Sequence, residues 1–133
     1  MTETPIPEVP NRSILDTVKK SLGLDSAYDA FDSDILLHIN GVFFTLNQLG
    51  VGPIDGFSID DNSITWDDYL GSTDKNLSVV KQYVFLRVKL LFDPPTTSFA
   101  IDAIKKQIDE LEWRLNVYVE TRKNLLSADP TNI

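Results

Sequence analysis

The 133-residue chain has no cysteine, a single histidine and few bases, and each shortage removes a class of function. Without cysteine there is neither a disulfide framework nor a thiolate metal site. His38 alone cannot build a histidine metal cluster, which leaves only carboxylate sites. The 12 Lys and Arg face 20 Asp and Glu, for a formal net charge of -8. That sign is wrong for gripping nucleic-acid phosphates, which draws on Lys and Arg displacing counterions. No apolar run approaches the ~20 residues that span a bilayer. Glu3 and Glu8 stand among prolines where a secretory signal would carry bases and then an apolar stretch. Synthesis in the cytoplasm fits.

Catalytic signatures are missing as well. There is no G-x-S-x-G elbow for a nucleophile. Gly50 to Gly56 lacks the lysine and the strand-to-helix setting of a phosphate loop. Asp55, Asp60, Asp61, Asp67, Asp68 and Asp74 fit no EF-hand spacing and read as solvated turn acids. Asp34 and His38 sit one helical turn apart, a common structural pairing. No catalytic residue, cofactor or metal is therefore expected.

The length suits one domain with a real core. Charge is uneven along it: residues 1–80 hold 13 acids and 4 bases, net -9, whereas residues 81–133 hold 7 acids and 8 bases, net +1. An acidic front on a neutral back can orient copies or partners, or simply keep the protein soluble.

Hydrophobic spacing outlines a mainly α protein: a bundle of about four helices, a β-hairpin insertion and a long protruding C-terminal helix. Residues 1–12 form an arm, extended because Pro5, Pro7 and Pro10 forbid helix. The helical domain covers 13–126. Ser13 caps a first helix striped by Ile14, Leu15, Val18 and Leu22, and Gly23 stops it. A second helix runs from about Asp32 to Leu49, capped by Asp32 or Ser33 and ended by Gly50. Its core arc holds Ile35, Leu36, Ile39, Val42, Phe43, Leu46 and Leu49, while Leu37 and Phe44 stack on the opposite side.

Phe57 and Ile59, then Ile64 and Trp66, alternate with polar residues around Asp60–Asp61–Asn62–Ser63, the pattern of a hairpin over about 56–67. Such a hairpin needs its apolar side covered. Trp66 to Leu70 can make one helical turn.

The third helix, about Leu77 to Phe92, is apolar nearly all round and should be central. Phe85 interrupts its polar strip, and Arg87 interrupts its apolar arc. Arg87 must either meet a carboxylate from another helix or subunit, or snorkel to water. Asp93–Pro94–Pro95 ends this helix. The last begins at Thr97 or Ser98 and reaches about Leu126. Ile101, Ile104, Ile108, Leu111, Leu115, Tyr118, Arg122 and Leu125 make a heptad seam with one polar slot. At roughly 43 Å it outreaches a compact chain of this size, under ~40 Å across. Trp113 and Val117 lie off the seam. Residues 127–133 form a tail.

Chemistry is absent from this pattern, but apolar surface is left over: Leu37 with Phe44, Phe85, Trp113 with Val117, and one side of the hairpin. That surplus indicates burial by neighbours on more than one side, as in a closed ring where each copy uses two faces.

Ile14 to Lys20, Phe31 to Gly52 (FDSDILLHINGVFFTLNQLGVG), Thr65 to Leu70, Leu90 to Ser98 and Glu110 to Leu115 resemble the head–tail connector proteins of tailed bacteriophages, also called neck adaptors or head-completion proteins. The resemblance spans roughly residues 13–119. It implies a homo-oligomeric, twelve-fold ring in the virion neck, below the portal protein, that extends the DNA channel and carries the next neck or tail-terminator protein. The interface between subunits would involve Leu37, Phe44, Phe57, Ile59, Ile64, Trp66, Phe85, Arg87, Trp113 and Val117. The C-terminal region would dock on the portal through Arg114, Arg122, Lys123, Leu125, Leu126 and Ile133. Asp60, Asp61, Asp67 and Asp68, if they line the channel, would repel phosphates so that genomic DNA slides past without specific binding. The competing reading is a small helical adaptor that binds a regulatory protein through its heptad face and stays a monomer or dimer.

Overall fold

The computed structural model describes residues 13–71 and 74–127. These residues form five helices: α1 (Ile14–Ser21), α2 (Asp32–Gln48), α3 (Trp66–Tyr69), α4 (Leu77–Phe92) and α5 (Ser98–Ser127). The arm at 1–12 and the tail from 128 onward lie outside the described residues, and Ser127 itself belongs to α5.

Helix ends follow local chemistry. Ser13 Oγ accepts the Asp16 N–H at 3.2 Å to start α1. Thr97 Oγ1 accepts the Ala100 N–H at 3.2 Å to start α5. For α2 the expected cap moves: Phe31 holds that position without a side-chain bond, because Asp32 is drawn away to Lys19. At the other end, Gly50 N–H donates to Asn47 O and Val51 N–H to Leu46 O, a Schellman closure. It requires the positive φ that Gly50 adopts (91°).

α4 is the middle helix and packs against α1, α2 and α5. Ile35, Ile39, Val42, Phe43 and Leu46 of α2 are buried, as are Val80, Tyr83, Val84 and Val88 of α4. Ile14, Leu15 and Val18 of α1 join this core from one side, and Ile108, Leu111, Leu115 and Val119 of α5 from another. Phe92, at the end of α4, meets Phe31, at the start of α2, edge-on; Leu91 shares a groove with Lys105 of α5 and Val79 shares one with Arg114, so α4 runs antiparallel to both long neighbours. Hence α2 and α5 point the same way. On α5 the buried line 108, 111, 115, 119 departs from the heptad at Val119. A straight helix turns every 3.6 residues, so a 3.5-residue seam drifts off the core within two or three turns.

The β-hairpin is not there. Among the described residues no strand occurs, and the single β contact is an isolated antiparallel bridge between Ser13 and Thr65. The alternation of side chains is real, but the backbone groups find other partners. Ile59 donates its N–H to Asn40 Oδ1 (2.8 Å) and accepts from Asn40 Nδ2 (2.9 Å). One amide side chain on α2 thus does what an opposing strand residue would do. Ile64 O accepts from Ile14 N–H at 3.0 Å, and Asp61 Oδ1 takes the Ser63 N–H at 2.8 Å. With these bonds made, 56–65 is a clipped loop, and the predicted helical turn follows as α3 behind a Thr65–Asp68 capping box.

Candidate assembly surface

Part of the sequence-predicted interface packs inside the chain. Ile59 and Trp66 are core residues, which corrects their expected place between subunits. Trp66 donates its indole N–H to Thr17 Oγ1 at 2.8 Å and meets the Phe85 ring edge at 5.9 Å. Phe85 is therefore partly covered by the chain itself, despite its place on the polar strip of α4. Phe57 and Ile64 are half-buried against the same core, Phe57 stacking on Phe43 (5.2 Å) and Tyr69 (4.8 Å). The aromatic cluster fills because the loop backbone is pinned, and burial of each ring contributes roughly 1.5–3 kcal/mol.

Arg87 meets a carboxylate from another helix. Its Nη1 lies 3.3 Å from Glu112 Oε2 and donates to the Tyr83 hydroxyl at 3.2 Å. The Tyr83 hydroxyl in turn donates to Glu112 at 2.6 Å. Burial, and then the bond to Glu112, pushes the Tyr83 hydroxyl above its usual range. Tyr69 is raised by burial and donates to Val51 O at 3.2 Å.

The sequence reading missed two fixtures. Lys19 is almost fully buried, with its ammonium on Asp32 Oδ1 (2.8 Å) and Ser26 O (2.9 Å), which ties α1 to the start of α2. The Asn40 clip was the second. Either polar residue beside an apolar stripe could have prompted a search for a partner.

The remaining candidates stand in solvent. Leu37 is 70% exposed and Phe44 64%, both on the side of α2 away from the core. Between them, Gly41 is exposed, and a Cβ added there would meet nothing within 4 Å. A mid-helix glycine costs about 1 kcal/mol relative to alanine, and packing within the subunit gives no return for it. On α5, Trp113 is 64% exposed and Val117 lies one turn on, also exposed. Tyr28, Phe31, Leu91 and Phe99 add exposed apolar surface that sequence spacing did not single out.

From Glu120 to Leu126 every residue of α5 is exposed. Arg122, Lys123, Leu125 and Leu126 lie on this stretch. Arg114, nearer the middle, pairs with Glu110 at 2.7 Å, and Ile133 lies outside the described residues. Asp60, Asp61, Asp67 and Asp68 are all exposed around the clipped loop. Two already have local work: Asp68 closes the capping box, and Asp61 accepts from Ser63. The Ser63 hydroxyl and then its N–H hold the Asp61 carboxyl below the usual range.

Among the described residues no group of three or more His, Cys, Asp or Glu could hold a metal ion, and no helix is long and apolar enough to cross a membrane. What the fold offers is bare apolar surface on two separate helices, α2 and α5, of a pinned bundle, the equipment of a structural subunit. The family model for phage connector proteins matches residues 14–122, and the chain belongs to that family. It is thus a structural bacteriophage protein of the head–tail connector type, a component of the virion. No curated protein and no solved structure matches the chain.

Proposed function

We propose that copies of this chain form a ring in the virion neck between portal and tail, which continues the DNA channel and carries the next neck or tail-terminator protein. The observation that carries this reading is large apolar side chains left bare on two separate helices, Leu37 and Phe44 on α2 and Trp113 and Val117 on α5. Single exposed leucines are ordinary, but paired bulky residues on two faces call for two neighbours. The ring number of twelve comes from the family resemblance. In this reading the overhanging end of α5, with Arg122, Lys123, Leu125 and Leu126 and the tail to Ile133, docks on the portal together with Arg114. Asp60, Asp61, Asp67 and Asp68 face the channel, where their charge keeps DNA from adhering.

Electron microscopy of the chain co-expressed with the portal protein of its phage tests the reading: rings below the portal are the expected result. Trp113→Asp should abolish those rings and leave helical content, by circular dichroism, within a few per cent. Intact rings from that variant would move the interface elsewhere. The regulatory-adaptor reading loses support, since the heptad-face residues Ile108, Leu111 and Leu115 are buried within the chain.

A further inference from the structure

We infer that ring neighbours meet by one defined contact: Trp113 on α5 of one copy enters the notch over Gly41 on α2 of the next, with the two helices parallel. This rests on the ring reading above and specifies which face meets which, in what register.

The notch is Gly41 between Leu37 and Phe44, which stand one turn before and one turn after it on the outer side of α2. No contact in the subunit demands the missing side chain, and the helix would be stronger with one. A bulky side chain arriving from outside does demand it. Trp113 is the largest exposed side chain on α5, and Val117 follows it by one turn, placed to lie against Phe44. These faces belong to different helices that flank α4, so the contact is heterologous and propagates around a ring.

Charge then selects the direction. Asp34 lies seven residues before Gly41, and Lys106 lies seven residues before Trp113. Both are exposed, and neither joins an ion pair among the described residues. Seven residues are two turns, or about 10.5 Å along either helix. Parallel docking with Trp113 at Gly41 therefore sets Lys106 beside Asp34, and Gln48 beside Glu120. Antiparallel docking would set Asp34 against Glu120, two carboxylates. The fold agrees, since α2 and α5 already run the same way within a subunit and a small rotation between neighbours preserves that. An α2-to-α2 contact would also join the acidic halves of two chains, each net -9 over residues 1–80.

The test uses full-length chain co-expressed with its portal. Asp34→Lys and Lys106→Asp should each lower ring yield roughly ten-fold or more, and the double swap should restore it to within about three-fold of the parent. Gly41→Leu should fold, by circular dichroism, and fail to assemble. Because the chain has no cysteine, Asp34→Cys with Lys106→Cys gives a clean oxidation assay. A ladder running past the dimer is expected. Parent rings with no rescue by the swap, no ladder, a ladder that stops at dimers, or Gly41→Leu assembling normally would overturn this pairing and leave the ring standing. Absence of rings in the parent would overturn both.

Discussion

Two glycines of α2 and its exit show how the same residue type answers different constraints. Gly52 has φ of 91°, and a Cβ there would lie 2.6 Å from the buried Tyr69 ring. Gly52→Ala should therefore lower stability by about 2–4 kcal/mol, the sum of left-handed backbone strain and a ring forced out of place. Gly41 has neither constraint, so Gly41→Ala should raise subunit stability by about 1 kcal/mol. Urea unfolding of the pair measures both, and the opposite signs are the point. Sequence reading identified the loop at Gly50–Gly56 from its composition, yet only the packing of Tyr69 shows which glycine cannot be replaced.

The two buried hydroxyls give a pH dependence at the same scale. Tyr69 and Tyr83 are both raised by burial, so the folded state keeps protons that the unfolded state releases from about pH 10 upward. Their contribution is complete below pH 10 and is lost as pH rises from there through the folded values. Urea midpoints should hold steady from pH 8 to 9.5 and fall beyond. Tyr83→Phe should flatten the fall, because one of the two groups no longer titrates.

At the scale of elements, the helices were legible and the loop was not. Caps, glycines and the Asp93–Pro94–Pro95 break are local signals, so α1, α2, α4 and α5 end within a residue or two of where spacing places them. The stretch 56–65 places apolar residues at alternate positions around Phe57 and Ile59 as a strand does, yet it forms none. What decided against a hairpin was Asn40, 19 residues earlier in the chain, which satisfies Ile59 on both sides. No local pattern contains that information. Asn40→Leu should leave the Ile59 N–H and C=O unpaired in a buried site and cost about 2–5 kcal/mol. Asn40→Asp keeps the acceptor for the Ile59 N–H and should cost less. Hydrogen exchange at Ile59 should rise most in the leucine variant. Unchanged exchange would mean that the loop is held by its aromatic contacts alone.

At the scale of the whole molecule, α5 divides into a stretch that the core holds and an end that it leaves bare. The helix is gripped by the core only as far as Val119, and the charge and apolar groups beyond it are exposed. The sequence showed that this helix was too long for its domain. It could not show where coverage stops, because the seam residues Arg122 and Leu125 continue the pattern beyond the last neighbour. A chain ending after Glu120 should thus unfold within about 0.5 kcal/mol of the full-length protein, since exposed residues add little. It should still form subunit contacts through Leu37, Phe44 and Trp113, all of which it retains. Binding to the portal should be lost, because Arg122, Lys123, Leu125, Leu126 and Ile133 leave together. Chemical denaturation and co-purification with the portal separate the two effects. A truncated chain that still binds portal would transfer docking to another surface, for which the exposed Tyr28 and Phe31, with rings 5.9 Å apart and Phe31 backed by the half-buried Phe92 at 5.4 Å, are the next site to alter.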